Sequence, residues 1–283
     1  MATRTRLLRL LRTFVRTLSA GCLTIHCNSP KFFTTMSWTC SASSHSRLVQ
    51  NLRNTALIRT DEVFEAFLQT DRRFYCPDSP YQDAPQYIGF GATISAPHMH
   101  AIMLEYISEN VGRDFDSGPT GLADSEESRP VRVLDVGSGS GWTVAAIANL
   151  LACHGLAACV VGIDHCGPLV DQARDNIMAD PVAYKYLEDG TIELRVGDGR
   201  HGAPDLAPFD IIHVGATAQS IPQPLLSQLR VGGIMLIPLQ DQGQYLWLVK
   251  KTPTRVEKHR LMGVSFVPLC DISQQLGHGS AIA

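Results

Sequence analysis

Apolar and polar positions alternate with different periods along this chain of 283 residues, and each change of period marks an element. Two amphipathic stretches, 46–54 and 61–69, predict short helices. Thr60 suits the N-cap of the second, and Asp61 and Glu62 suit its first turn. Residues 74–91 are rich in Pro, Tyr, Asp and Gly and read as loop. The spacing of Met99, Ile102, Met103 and Tyr106 predicts a helix over 97–110. From residue 131 onward, short apolar runs alternate with helix-forming segments. Strands are expected at 131–136, 159–164, 191–196, 209–214, 234–239, 245–250 and 264–269. Helices are expected after Gly141, over 169–178 and over 223–229. This order predicts an α/β fold: a doubly wound, mostly parallel seven-stranded sheet with helices on both faces, preceded by short N-terminal helices. Right-handed crossovers bring the C-terminal ends of the parallel strands to one edge. Asp135, Asp164, Asp198 and His213 end four of those strands and are expected to converge in one crevice.

Composition narrows the class without changing that picture. The chain is 45% hydrophobic and 18% charged, as in globular domains, and no apolar run reaches the roughly 18 residues of a membrane helix. Its eight cysteines (22, 27, 40, 76, 153, 159, 166 and 270) have neither C-x-x-C nor zinc-site spacing, so free thiols and no metal site are expected. Charge is uneven. Residues 1–35 hold five Arg, one Lys and no acid, and the first acid is Asp61. Setting those six apart from the 24 basic residues leaves 18 against 27 acids, a balance of −9, which disfavours a nucleic-acid substrate. Leu7, Leu11, Phe14 and Leu18 form one helical stripe, and Arg9, Arg12 and Arg16 another. That pattern reads as a mitochondrial transit peptide, or as an extension upstream of a start at Met36. The expected organisation is a basic extension (1–35), one domain (36–270) with an acidic loop insertion (111–130), and a tail (271–283).

The chemistry concentrates at VRVLDVGSGSGW, residues 131–142. A strand that stops in a glycine loop and then opens a helix is a nucleotide-binding device, because glycine lets the backbone approach a ligand and the helix N-terminus offers free N–H groups. The spacing G-x-G-x-G, with Asp135 before it across one intervening residue and Trp142 after it, departs from the dinucleotide fingerprint G-x-G-x-x-G. It resembles motif I of class I methyltransferases, which bind S-adenosylmethionine on a Rossmann-like sheet. Asp164, at the end of CVVGID, is placed to take both ribose hydroxyls, or else caps the following helix. Asp198, between Gly197 and Gly199, is placed to reach an adenine amino group, or else belongs to a plain turn.

A more specific resemblance runs from about Met36 to Leu269. GFGATISAPHMH (89–100), VLDVGSGSG (133–141), GIDH (162–165), GDGR (197–200), DIIHVGA (210–216) and RLMGVSFVPL (260–269) resemble the protein-L-isoaspartate (D-aspartate) O-methyltransferase family. The resemblance implies methylation of the free α-carboxylate of L-isoaspartyl and D-aspartyl residues in damaged proteins and peptides. S-adenosyl-L-methionine is the donor and S-adenosyl-L-homocysteine the product. The ester then recloses to succinimide, which partly hydrolyses to aspartate. The acceptor is a carboxylate with a pKa of roughly 3.5, already ionised, so alignment and water exclusion are the enzyme's main tasks.

Residue by residue, the resemblance implies that Ser95 positions the acceptor carboxylate; the alternative is a turn or helix cap before Pro97. Ala92, Thr93 and Ile94 form a ledge over the cofactor. Asp135, Gly137, Ser138, Gly139, Asp164, Asp198 and Gly199 bind it, with His100, His165 and Gln244 (or Gln242) added. His165 is equally readable as an ordinary loop residue. His213, Val214, Gly215 and Ala216 form the edge that takes the substrate backbone, although Val214 and Ala216 also read as plain core. The implied partners are isoaspartyl peptides and proteins, with no nucleic acid and no membrane; the implied state is a cytoplasmic monomer. Competing readings are a methyltransferase for another substrate, a non-catalytic adaptor of the same fold, and a nicotinamide-dependent oxidoreductase.

Overall fold

The computed structural model describes residues 40–111 and 129–278. The basic extension at 1–35, most of the 111–130 insertion and the end of the 271–283 tail lie outside the described residues. Helices α1 (His45–Asn54) and α2 (Asp61–Gln69) form where the apolar spacing places them. Thr60 caps α2 by accepting from the Val63 N–H. The buried Glu105 carboxylate accepts from the Arg59 N–H at 2.7 Å and the Thr60 N–H at 3.0 Å, so the α1–α2 junction is tied to the next helix. The segment expected as loop before residue 91 instead contains a strand. β1 (Gln86–Gly89) pairs antiparallel with β2 (Ala92–Ile94) across a tight turn at Phe90 and Gly91. Helix α3 follows (Pro97–Val111).

The main sheet is built from β3 (Val131–Val136), β4 (Ala158–Asp164), β5 (Ile192–Val196), β6 (Phe209–Val214), β7 (Leu229–Gln240), β8 (Gln244–Lys251) and β9 (Val256–Gly263). The order across its seven strands is β5-β4-β3-β6-β7-β8-β9. The first five in that order are parallel, and β7, β8 and β9 form an antiparallel meander at the far edge. The crossovers carry α4 (Trp142–Cys153), α5 (Gly167–Ala179), α6 (Tyr184–Glu188) and α7 (Gln223–Gln228). Helices α1 to α6 bury one face of the sheet, with Val133, Ile211 and Leu236 beneath them. Helix α7 and its neighbouring loops cover the other face over Leu134, Ile212 and Val214. Helix α4 is apolar all round because it is packed between α2 and the sheet.

The last expected strand, 264–269, does not form as such. The sheet takes β9 from the preceding residues. VEKHRLMG lies on the exposed edge and lacks an apolar face, which hid it from a periodicity reading. Val264 and Phe266 pack against the core from an irregular segment. That segment touches the strand ends through Thr217, whose N–H donates to Val267 and whose carbonyl accepts from Leu269, both at 2.8 Å. The expected tail also holds structure: α8 (Ile272–His278). Among the described residues no helix is long and apolar enough to cross a membrane.

At the sheet's N-terminal end, the buried Asp210 carboxylate accepts from Arg129 at 2.6 and 2.9 Å, from Arg230 at 3.2 Å and from the Arg132 N–H at 2.9 Å. It joins β3, β6 and β7 below the site. The arginines are partly exposed and can rehydrate. Asp210→Ala is therefore expected to cost about 2–3 kcal/mol, mostly in lost charge-assisted hydrogen bonds. Urea denaturation measures it; a change below about 0.5 kcal/mol would show that the cluster contributes nothing net.

Candidate functional site

The parallel strands end in a cleft. Val136 leads into the glycine loop, whose Gly137 N–H donates to the Ile163 carbonyl of β4 at 2.8 Å. Gly141 has φ +87°, and a Cβ there would sit 3.1–3.3 Å from Ile177 and Ala173 of α5, so glycine allows α4 to start against α5. Gly199 has a different reason: a Cβ would stand 2.4 Å from Val136 Cγ1, so any side chain would push this turn off the sheet. The space between the strand ends, the β1–β2 hairpin and the chain around α8 amounts to about 590 Å³, part of it continuous with solvent.

Asp164 stands at the centre of this cleft. Its carboxylate accepts from the Gly139 N–H at 3.1 Å and the Cys166 N–H at 3.0 Å, so it braces the glycine loop and the entry to α5 together. Burial pushes its pKa above the ordinary carboxylate range, against the opposing pull of those two donors. Asp198 lies across the cleft, and the Arg200 guanidinium holds its pKa low by hydrogen bonding. Arg200 also reaches Asp271, just before α8. Gln275 of α8 completes the wall: it donates to the Phe90 carbonyl at 3.0 Å and accepts from His165 Nε2 at 2.7 Å. Its own carbonyl would be 2.6 Å from a Cβ on Gly91, so the hairpin turn meets α8 only because residue 91 is glycine.

Beside the cleft lies a buried polar layer. Asp135 and His213 are register partners on adjacent parallel strands, and His213 Nδ1 donates to Asp135 Oδ1 at 2.6 Å. His213 Nε2 lies 2.9 Å from Met103 Sδ. His100 stacks on Trp142 with ring centroids 4.2 Å apart and 17° between planes. Arg72 donates to His100 Nδ1 at 3.0 Å and to the Ser95 carbonyl at 3.1 Å. Burial, helped by the Arg72 charge, pushes the His100 pKa well below its ordinary value. Burial also pushes the Arg72 pKa down, to about 10, leaving the guanidinium charged at neutral pH.

The structure brings many of the expected residues to one wall. Ala92, Thr93, Gly137, Gly139, Asp164, His165, Asp198, Gly199, Gly215 and Ala216 line the cleft. Others stand elsewhere. Ile94 and Val214 are core residues packed into the two apolar layers and do not line it. Ser95 is half-buried at the end of β2. His100, Asp135 and His213 sit in the buried layer, and Ser138 is buried in the loop. Gln244 is a joint between chain segments: it accepts from Thr217 Oγ1 at 3.0 Å and the Phe266 N–H at 2.7 Å, which turns it from the cleft. Gln242 lies in the exposed β7–β8 turn. Sequence reasoning missed Val136, Ile163, Val267, Pro268, Leu269, Cys270 and Gln275 as wall residues. The position of Val136 and Ile163 at their strands' ends was a readable signal, as was the RLMGVSFVPL motif for residues 267–269; no local pattern marks Cys270 and Gln275.

Known proteins resemble this chain over most of its length. The sequence model described as Protein-L-isoaspartate(D-aspartate) O-methyltransferase matches residues 43–274. A protein-L-isoaspartate O-methyltransferase of Caenorhabditis elegans is 35% identical over 242 residues, which is 85% of this chain and 98% of that protein. One from Triticum aestivum is 38% identical over 239 residues, 83% of this chain and 95% of its own. A Plasmodium falciparum structure described as a protein-L-isoaspartate O-methyltransferase, solved with S-adenosyl-L-homocysteine, superimposes with a TM-score of 0.69 at 30% identity. It covers 81% of this chain and 99% of that one.

Burial holds both His100 and His45 below the ordinary value of 6.5. Such a histidine takes up its proton more readily in the unfolded chain. Its contribution to stability is complete above about pH 6.5 and is lost as pH falls below it. Denaturation between about pH 7.5 and 5 should show stability falling with acid, and His100→Gln should reduce that slope by up to about 1.4 kcal/mol per pH unit. An unchanged slope would mean that His100 is not held neutral.

Proposed function

The chain belongs to the protein-L-isoaspartate (D-aspartate) O-methyltransferase family, and from that premise we propose how its cleft performs the reaction. The enzyme methylates the free α-carboxylate of isoaspartyl and D-aspartyl residues in damaged proteins and peptides. The ester recloses to succinimide, and hydrolysis returns part of it to aspartate. The observation that carries the placement of the nucleoside is the meeting of Asp164, Asp198 and the glycine loop on one cleft. Two buried polar atoms beside it, Asp135 Oδ2 and Ser138 Oγ, have no protein partner, which fits a site that completes itself on a polar ligand. A Cβ on Gly137 would meet nothing within 4 Å, leaving room for that ligand against the loop.

S-adenosylmethionine, when bound, supplies an electrophilic methyl group on a sulfonium centre. Asp164 retains lone pairs beyond its two N–H bonds and takes the ribose hydroxyls. Asp198, already ionised beside Arg200, takes the adenine amino group, and Gln275 and His165 close that end. Ser95 donates its hydroxyl to one oxygen of the acceptor carboxylate and leaves the other free to attack. No general base is needed for an acid with a pKa of roughly 3.5. His100 contacts the cofactor from the buried layer beside the cleft. The β6 end at His213, Gly215 and Ala216 offers backbone to the peptide, as suits an enzyme that accepts many sequences. We place the enzyme's action on protein substrates, not nucleic acid, in keeping with the acidic balance outside residues 1–35. We read it as a monomer of the cytoplasm, or of mitochondria where residues 1–35 serve as a transit peptide.

Labelled S-adenosylmethionine with an isoaspartyl peptide should give a base-labile methyl ester, and the normal aspartyl peptide none; equal labelling of both would overturn the substrate assignment. Ser95→Ala is expected to lower kcat about ten- to a thousandfold with little change in S-adenosylhomocysteine affinity. Wild-type kcat would remove Ser95 from the reacting centre. Asp164→Ala should weaken that affinity by about 1.5–3 kcal/mol, read by calorimetry. An unchanged Kd would rule out the ribose contact.

A further inference from the structure

Arg72 is fully buried, yet the partners of its guanidinium are all neutral. Nε donates to the Pro80 carbonyl at 3.0 Å, Nη2 to the Ser95 carbonyl at 3.1 Å and Nη1 to His100 Nδ1 at 3.0 Å. Its remaining face lies over Trp142, 5.7 Å from the ring centroid. Cys76 and Asp83 lie near enough to act on its charge, but burial pushes the Cys76 thiol pKa up, and the Asp83 carboxylate is hydrogen-bonded to His98, at 2.7 Å from Nδ1 and 3.0 Å from the backbone N–H. A buried cation without a contacting carboxylate is expensive to keep, and an apolar side chain would fill the same space more cheaply. The contacts show what the charge does there.

A guanidinium has donors only. The nitrogen of His100 that faces it must present a lone pair, so the single ring proton of a neutral imidazole sits on Nε2. Protonating Nδ1 would set donor against donor beside a fixed positive charge. Trp142 holds the ring plane from α4, and its own Nε1 is anchored to the Thr70 carbonyl at 3.1 Å. The other titratable groups acting on His100 are His98, on α3 itself, and His213 on β6; each has a carboxylate partner of its own, Asp83 and Asp135. His213 is set the opposite way, with its proton on Nδ1 toward Asp135.

We propose that Arg72 is a positioning residue for methyl transfer: one guanidinium locks His100 in the neutral Nε2–H tautomer and, through the carbonyl of Ser95, fixes the residue that holds the acceptor. The cofactor side and the acceptor side of the reacting centre are thereby referenced to the same buried group. This rests on the reading above that His100 and Ser95 flank that centre.

The test uses the full chain labelled with ¹⁵N-histidine. The His100 ring should show a protonated Nε2 and a bare Nδ1, unchanged from about pH 8 to about pH 5.5. Arg72→Gln should lower kcat for an isoaspartyl peptide about ten- to a hundredfold, with a smaller change in KM. It should also add an acid limb to the kcat profile near pH 6.5 as His100 becomes protonatable. Arg72→Lys, which keeps the charge and one donor, should recover part of kcat and abolish the new limb. A proton on Nδ1 of wild-type His100, or a folded Arg72→Gln with the wild-type pH profile, overturns the proposal. Where Arg72→Gln does not fold, the wild-type ring spectrum decides alone. Failure of the wild-type enzyme to esterify the peptide would count against the reaction assignment, while the ring spectrum would still decide the tautomer.

Discussion

The hydrogen bond between Asp135 and His213 links the two central parallel strands at the point where both stop. Parallel pairing sets these residues side by side, and the crossovers leave that end of the sheet uncovered. Everything at the site is referenced to this edge. The glycine loop leaves β3 after Val136, the residue that follows Asp135. The chain leaves β6 after Val214, the residue that follows His213, and the Gly215 N–H donates to the Val136 carbonyl at 2.8 Å. Gly162, the register partner of Asp135 on β4, has no room for a side chain: a Cβ would lie 2.9–3.0 Å from Leu194, Ser138 and Val144.

Around that edge the protein separates two kinds of polar environment. The cleft itself is lined by acids that keep solvent contact or strong donors, and they are suited to neutral hydroxyls and amines. The layer beside it is buried, and there a carboxylate orients His213 and a guanidinium orients His100. Low dielectric makes such contacts strong when complete and costly when broken. A transferase whose acceptor is already ionised needs no titrating base, so a His100 whose pKa burial pushes down suits it better than one poised to exchange protons.

Closure of the cleft depends on distant pieces of chain. The β1–β2 hairpin, some 180 residues before α8, meets it through Gln275 and Phe90, a separation of 185 residues. Arg200 joins the Asp198 wall to Asp271 on the same side. This end of the cleft is thus assembled from three segments that share no local pattern, and each is short.

How much of this was legible in the amino-acid order follows from range. The alternation of apolar runs with helix-forming segments required a wound parallel sheet, and strand-final acids required a crevice at one edge, because both follow from local periodicity and chain handedness. The ATISAPHMH and glycine-loop motifs carried the chemistry for the same reason: their roles reside in contiguous residues. Tertiary structure alone decided which of those residues face the ligand space and which hold them. Ile94, Val214 and Gln244 turned inward or into joints, β9 formed from a strand with no apolar face, and α8 came from beyond the expected domain end to wall the site. Arg72 became a partner of His100 and Ser95 only through folding. Such assignments depend on burial and on contacts between residues far apart in the chain, and no local spacing encodes either.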